Sequence, residues 1–327
     1  MLKFLQAYIK SMRLYYSFIT GIAGWIGVAY YEFIAHSLTE KTIEIIPACE
    51  KKFVILIILF LSWGINQIIN DYLGLKEDKI NAPQRPMVTG ELNPNKALIL
   101  SIILIIISSC ITWFYLEPVA IVFLIAGVVL NIVYEYAKGY GLLGNIVFGL
   151  MITMATLYGA YASGPTQASF LASHRLSGLI LVWVINALMT FYTYFKDYKG
   201  DKLAGKNTVI VQYGLRISKI LAVLSAFLPT IVFFILKGTN MLWIEINNTF
   251  IILGILTVFL QIWTGVLYYL NPIGSKTYTS LRTNFQACAC GEATIIAFFN
   301  PDIAMWLFIM SYIFVGFLFE LHTNQKS

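Results

Sequence analysis

Residues 53–90 read FVILIILFLSWGINQIINDYLGLKEDKINAPQRPMVTG and pass from an apolar run into a dense polar segment. The run at 53–73 has the length of about 20 residues that a helix needs to cross a bilayer. Asn66 and Asn70 lie four residues apart inside it and would share one helix face. Polar groups at that depth need partners, so these asparagines indicate either a functional site or hydrogen bonds between helices.

Acidic residues follow directly after this run. If the helix continues, Asp71, Gly74 and Asp78 form a single stripe along it. The prolines at 83 and 86 then end the helix. Ionised carboxylates beside a bilayer are costly and are seldom present without a function.

The rest of the chain repeats the apolar pattern. It is 59% hydrophobic and only 12% charged, against about 25% charged residues in soluble domains. Nine apolar runs predict membrane-spanning helices: 14–34, 53–73, 97–116, 118–136, 142–163, 177–195, 219–236, 249–270 and 301–320. Residues 284–299 could form an additional half-helix, and residues 2–12 an amphipathic helix at the membrane surface. The loops are short, so the sequence predicts an all-α membrane protein with one domain over residues 1–327.

Lysine and arginine are distributed unequally between the two predicted faces. Sixteen of the 22 fall on the face that holds the N-terminus and the loops near 76–96, 138, 196–219 and 276–282. The positive-inside rule therefore places the N-terminus and both acidic clusters on the cytoplasmic side and the C-terminus outside. The membrane is expected to be the inner or cell membrane. This asymmetry accounts for the net charge of +6 without a nucleic-acid partner.

The second acidic cluster, YTYFKDYKGDKLAGKNTV at 192–209, leaves the sixth predicted span. Asp197 and Asp201 are four residues apart, and Tyr192 and Lys196 repeat that spacing. Mg²⁺ is usually held by one or two carboxylates, several waters and substrate phosphates. Two such helix ends could hold Mg²⁺ around the diphosphate of an anionic lipid headgroup. Four basic residues could neutralise the remaining charge: Lys76, Arg85, Lys138 and Lys196. Solvated charges at span ends are the alternative.

The first cluster resembles the signature of the UbiA-type intramembrane prenyltransferases. It stands here as Asn70-Asp71-Tyr-Leu-Gly74-Leu-Lys-Glu77-Asp78, followed by Ile80-Asn81-Ala-Pro83-Gln-Arg85-Pro86 and Gly90. The second cluster is similar to the second motif of that family, with Tyr192, Lys196, Asp197, Asp201 and Gly205. Weaker similarities are Met12-Arg13-Leu14, Tyr134-Glu-Tyr136-Ala-Lys138 and Leu143-Gly144-Asn145. One position departs from the pattern, because Gly74 stands where the family has an aspartate, and Glu77 is its expected replacement.

The resemblance implies nine helices around a central lipid-facing pocket, with a cytoplasmic cap from the loops at about 70–96 and 192–215. It implies an enzyme that transfers a prenyl group from an isoprenyl diphosphate with Mg²⁺-assisted loss of diphosphate. The implied catalytic residues are Asp71, Asp78, Asp197 and Asp201, and Asn70 and Glu77 join them as metal ligands. The implied substrate-binding residues are Asn66, Arg85, Lys138, Asn145, Tyr192 and Lys196.

The acceptor is expected to be hydrophobic, most plausibly an aromatic compound or quinone precursor. A glycerol-phosphate lipid precursor is an alternative acceptor. A UbiA-related terpene cyclase would use the same metal site without an acceptor. A membrane transporter is the non-enzyme alternative, although the chain has no convincing inverted repeat of the kind that transporters show.

Overall fold

The computed structural model describes residues 2–37, 46–165, 173–242 and 244–324. Its helices in chain order are α1 (Leu2–Met12), α2 (Ser17–Ser37), α3 (Cys49–Leu73), α4 (Leu75–Asn81), α5 (Pro86–Thr89), α6 (Pro94–Tyr115), α7 (Ile121–Ala137), α8 (Leu143–Ala162), α9 (Ser173–Leu203), α10 (Val209–Ser225), α11 (Leu228–Gly238), α12 (Asn248–Leu270), α13 (Thr277–Ile296) and α14 (Pro301–Asn324). The predicted all-helical fold is confirmed. Two short strands, β1 (Tyr140–Gly141) and β2 (Asn207–Thr208), pair in parallel.

Eight of the described helices are long and apolar enough to cross a bilayer. The helices α10 and α11 are long and apolar enough only when taken together, and they meet at a bend of 42°, as in a broken span or a re-entrant loop. Within these spans, 83% of α2 and 72% of α8 are buried inside the protein, against 22% of α6. The helices α2 and α8 are therefore central, whereas α6 presents most of its apolar surface outward, as a lipid-facing helix does.

Glycines allow α2 and α8 to pack with their backbones in contact. A Cβ atom added to Gly159 would lie 1.9 Å from the carbonyl oxygen of Gly24. One added to Gly27 would lie 2.0 Å from the carbonyl oxygen of Thr156. Small residues at helix interfaces are the usual means of close packing between membrane helices.

Helix α13 differs from the half-helix predicted at 284–299. It is 20 residues long and is buried between α2, α9, α12 and α14. Contacts along its length show that α14 runs antiparallel to it: Arg282 to Glu320, Gln286 Nε2 to the Tyr312 carbonyl oxygen at 2.8 Å, and Cys290 Sγ to the Phe308 carbonyl oxygen at 3.7 Å. The helix was missed because its polar side chains bond inside the bundle, as in the 2.9 Å bond from Asn284 to the Met189 carbonyl oxygen. The ring of Phe285 on α13 lies 4.2 Å from that of Tyr16 and 6.3 Å from that of Phe319 on α14, measured between centroids. The helix α14 therefore ends at the end of the bundle where the first span begins, and the prediction of opposite ends is wrong.

At that end the first acidic stripe is interrupted. Helix α3 ends at Leu73, because Gly74 leaves the helical conformation with φ −90° and ψ 16°. The chain restarts as α4, which packs against α9. The side chain of Asn93 caps α6 by accepting a hydrogen bond from the Lys96 amide at 3.0 Å, and Pro94 follows it in the first turn of the helix.

The second cluster lies on a longer helix than predicted. Helix α9 continues past residue 195 to Leu203, so Asp197 and Asp201 project from one continuous helix. Gly205, with φ 75°, then turns the chain into β2. The β1–β2 pairing ties the turn after α9 to the turn after α7. Parts of the chain that are distant in sequence are thereby brought to one end of the bundle.

Helix α1 is amphipathic, as predicted. It buries Tyr8 and Met12 against the α3 side of the bundle and exposes Leu2, Leu5 and Ile9. Its location at a membrane surface stays a prediction.

Candidate active site

A polar cavity of about 1090 Å³ opens at the end of the bundle where the two acidic clusters lie. Its wall includes ten of the residues predicted from sequence: Asn66, Asn70, Asp71, Glu77, Asp78, Arg85, Lys138, Lys196, Asp197 and Asp201. An apolar cavity of about 670 Å³ lies below it and shares Trp63, Asn66 and Met151 with it. Its wall includes the half-buried side chains of Ile105 on α6 and Leu124 on α7. The two cavities together form a polar chamber with an apolar extension.

Asp71 is the most enclosed acid of the site, with 1% of its side chain exposed. Arg13 Nη2 donates to both of its carboxylate oxygens at 2.7 Å. Gln67 Nε2 and Arg85 Nη1 donate to Oδ1 at 3.0 and 3.2 Å. Arg13 adopts a left-handed conformation with φ 48°, which is strained for a residue with a side chain. Asp71 thus connects the residue before the first span with α3 and with the segment after α4.

Arg85 also forms an ion pair with Asp78. Asp78 is buried, and this burial, with the nearby charge of Asp71, raises the pKa of Asp78 despite Arg85. A buried carboxylate of this kind gains strongly from a cation that replaces its lost hydration. Asp71 and Asp78 are thus buried, which contradicts the alternative interpretation of this cluster as solvated charges at the end of a span.

Asp201 and Asp197 differ in their surroundings. Asp201 is 4% exposed and accepts a hydrogen bond from Asn81 Nδ2 at 3.4 Å. That contact requires Gly200, since a Cβ atom there would lie 1.7 Å from Asn81 Oδ1. Asp197 has 30% of its side chain exposed and lies 3.9 Å from the Lys196 ammonium. Asp197 is therefore the most accessible of the four predicted catalytic carboxylates.

A second ionic cluster forms the wall beside Gly74. Lys206 Nζ lies 3.0 Å from Glu77 Oε1 and 2.9 Å from Glu135 Oε1, and Lys138 Nζ lies 2.5 Å from the same Glu135 oxygen. Burial alone would raise the pKa of Glu77, but a backbone hydrogen bond and Lys206 outweigh it and hold that pKa below its usual value. Burial likewise opposes the charge of Lys138, whereas Glu135 raises its pKa overall. Glu77 and Lys138 are therefore both charged at neutral pH.

Aromatic rings surround the junction between the two cavities. Neighbouring ring centroids lie 4.2 Å apart for Tyr16 and Phe285, 5.7 Å for Tyr16 and Trp63, 6.2 Å for Trp63 and Phe148, and 5.2 Å for Phe148 and Tyr134. All five residues line the polar cavity. Electron-rich rings at this level can stabilise a positive charge that forms between the chamber and its apolar extension.

Three residues predicted to bind substrate or neutralise charge lie elsewhere. Tyr192 donates from its hydroxyl to the Ala222 carbonyl oxygen at 2.6 Å and stacks on Tyr268, outside the cavity wall. Asn145 faces α9 and donates to the Ala187 carbonyl oxygen at 3.3 Å. Lys76 is exposed on α4 and does not line the cavity. In the first two cases the side chain faces a neighbouring helix, which spacing along one helix cannot reveal.

The structure adds five residues to the predicted set: Arg13, Gln67, Asn131, Glu135 and Lys206. Asn131, fully buried on α7, donates to the Asn66 carbonyl oxygen at 3.0 Å. A polar residue inside an apolar run was the available signal for it. The roles of Arg13, Glu135 and Lys206 can be identified only from the residues that lie next to them in the folded protein.

The donor set suits Mg²⁺. In the described part of the chain, no three His, Cys, Asp or Glu side chains are arranged to hold a metal by themselves. Three buried amide oxygens of residues in the cavity wall nevertheless accept no hydrogen bond from the described residues: Asn66 Oδ1, Asn70 Oδ1 and Asn131 Oδ1. All three residues line the cavity with Asp78, Asp197 and Asp201. Oxygen donors with few carboxylates fit an ion that keeps waters and takes phosphate oxygens from a ligand.

Known proteins resemble this chain in sequence and in fold. The model of the UbiA prenyltransferase family matches residues 47–285. Digeranylgeranylglyceryl phosphate synthases of Pyrococcus horikoshii and Methanosarcina mazei are each 27% identical over 230 residues, which is 69% of this chain and 76% and 78% of theirs. A UbiA homologue of Archaeoglobus fulgidus, whose structure holds DMAPP and Mg²⁺, superposes with a TM-score of 0.59 at 14% identity over 88% of this chain and 98% of its own.

Proposed function

The chain belongs to the UbiA prenyltransferase family, and on this premise we propose that it transfers a prenyl group to a prenylated glycerol phosphate. It is a multi-pass integral membrane enzyme. The donor in this proposal is an isoprenyl diphosphate with Mg²⁺. The site faces the cytoplasm, as the distribution of lysine and arginine predicts.

The nature of the acceptor is supported by the relatives. Both curated relatives described above are named for a glycerol phosphate that carries two prenyl chains. Their names favour the glycerol-phosphate alternative over the aromatic acceptor that the sequence led us to expect. The relatives lend no support to the expected role in quinone biosynthesis.

The donor is proposed to lie across the junction of the two cavities. Its apolar chain occupies the cavity below Trp63, and its diphosphate lies among Arg13, Arg85 and Lys138. Asp78, Asp197 and Asp201, together with the amide oxygens, would hold Mg²⁺, which would neutralise charge on the diphosphate. The arginines keep the diphosphate oriented, and the buried position strengthens their attraction for it.

Transfer breaks the bond between C1 of the prenyl group and the diphosphate oxygen, and the electron pair leaves with the diphosphate. Positive charge then develops at C1, next to the rings of Tyr16, Trp63 and Phe285. A cation over an aromatic face gains about 0.5–2 kcal/mol per ring. The hydroxyl oxygen of the acceptor bonds to C1, and its proton passes to the released diphosphate.

The acceptor brings a phosphate of its own, which needs a separate cation. Lys196 lines the cavity, and its only described carboxylate partner, Asp197, is 3.9 Å away. That separation is at the limit of an ion pair, so the ammonium can bind another anion. We therefore assign the acceptor phosphate to Lys196. This loosely paired cation is the observation that carries the choice of a phosphorylated acceptor.

The test uses purified protein in lipid nanodiscs with radiolabelled geranylgeranyl diphosphate. Parallel reactions contain geranylgeranylglyceryl phosphate, 4-hydroxybenzoate or no acceptor, each with Mg²⁺ or with EDTA, and an Asp197→Asn variant serves as the inactive control. The expected product is a labelled phospholipid with two prenyl chains, formed only with the glycerol phosphate and Mg²⁺. A labelled aromatic product would refute the acceptor, and a labelled hydrocarbon without acceptor would identify a cyclase.

A further inference from the structure

The gap in the first acidic stripe at Gly74 is filled from another helix. A Cβ atom added to Gly74 would lie 3.3 Å from Glu135 Oε1 and 3.8 Å from its Cδ. The Glu135 carboxylate, which comes from the last turn of α7, therefore occupies the space into which a side chain at position 74 would extend. Glu77 lies in the same cavity, but it is not among the atoms closest to that space.

Glu135 is placed to act on a cation in the cavity. Its side chain is 7% exposed and lines the cavity wall. Lys138 and Lys206 both bind Oε1, and among the described residues no hydrogen-bond donor binds Oε2. Oε2 is therefore available to a cation in the cavity or to one of its waters.

We infer that Glu135 supplies the carboxylate that the first acidic cluster lacks at position 74, and that it contributes to binding the divalent cation. This inference rests on the proposed function, because it assumes a metal site in the polar cavity. The two lysines hold the carboxylate in place from the side of Oε1, which leaves Oε2 for the cation or one of its waters.

The two positions should then exclude each other. An aspartate at position 74 would put its Cβ 3.1 Å from the Asn70 carbonyl oxygen and 3.3 Å from Glu135, and would set two carboxylates against each other. Gly74→Asp should therefore impair the protein as long as Glu135 is present. It should be accepted once Glu135 is shortened to alanine, because the new carboxylate then takes over the vacated space.

The test measures Mn²⁺ binding to purified protein by electron paramagnetic resonance, without substrate. We expect Glu135→Gln to weaken Mn²⁺ binding by about tenfold or more, in the range found when residues around a metal site are changed. The matched control, Glu77→Gln, removes a charge from the same ionic cluster and should cause a smaller loss. Gly74→Asp alone should weaken binding, and the Gly74→Asp/Glu135→Ala variant should recover most of it.

Several outcomes would overturn the inference. These are unchanged Mn²⁺ affinity in folded Glu135→Gln, an equal loss in Glu77→Gln, or no recovery in a folded double variant. If Glu135→Gln does not fold, the double variant decides, since it restores a carboxylate from position 74. If the wild-type protein transfers prenyl groups and the Glu135→Gln variant binds Mn²⁺ normally, this inference alone is refuted. A wild-type protein that neither binds Mn²⁺ nor needs Mg²⁺ for transfer refutes the proposed function as well.

Discussion

Replacing Asp71 with alanine should lower the stability of the protein as well as its activity. The carboxylate is almost fully buried and accepts bonds from Arg13 and Arg85. Removing one partner of a buried ion pair costs about 3–5 kcal/mol, because the other charge stays buried and unpaired. Arg85 keeps its contact with Asp78, so we expect the lower end, about 3 kcal/mol. At about 1.4 kcal/mol per tenfold change, this loss reduces the folding equilibrium constant by roughly two orders of magnitude.

Asp197→Ala is the matched control for this prediction. Its side chain is 30% exposed and its nearest cation is 3.9 Å away. Pairs of that kind contribute about 0–1 kcal/mol at most, so the variant should unfold almost like wild type. Both variants should lose prenyl transfer.

Unfolding is followed by intrinsic tryptophan fluorescence in detergent micelles, and transfer is measured on the same preparations. An Arg13→Ala/Asp71→Ala variant should be more stable than Asp71→Ala, because it removes the unpaired arginine as well. Equal stability of Asp71→Ala and Asp197→Ala would show that the buried pair does not hold the N-terminal segment in place.

Three further predictions follow from the packing. Gly200→Ala should reduce transfer several-fold, because the added methyl group pushes Asn81 away from α9. Gly178→Ala on the same helix should be neutral, because a Cβ atom added there has no other heavy atom within 4 Å. Equal activity of the two variants would refute the close contact. Tyr192→Phe should leave the KM for the donor unchanged and cost about 1 kcal/mol of stability through the lost hydrogen bond, and a raised KM would place the hydroxyl in the site. Protease-sensitive tags at the two chain ends should be cleaved from the same side of sealed vesicles, and cleavage from opposite sides would contradict the course of α13 and α14.

The acidic clusters and most spans could be predicted because they depend on local patterns. A run of apolar residues or two aspartates at helical spacing has the same meaning in any context. Helix α13 could not be found in this way, since its polar residues are sheltered by neighbouring helices and not by lipid. Glu135 and Arg13 also escaped prediction, because their relation to Gly74 and Asp71 exists only after distant helices have packed together.

The unusual backbone at Arg13 has a practical consequence for fusion proteins. A single residue joins α1 to the turn before the first span, and its side chain holds the carboxylate of Asp71. Only one short helix, α1, separates a bulky affinity tag ahead of Leu2 from Arg13 and the polar chamber. Movement of such a tag would therefore be passed on to the chamber. At the other end of the chain, α14 packs on α13 and lines neither cavity, as far as the structure describes it. Purification handles and fluorescent reporters therefore belong after α14, where they can be added without disturbing the chamber.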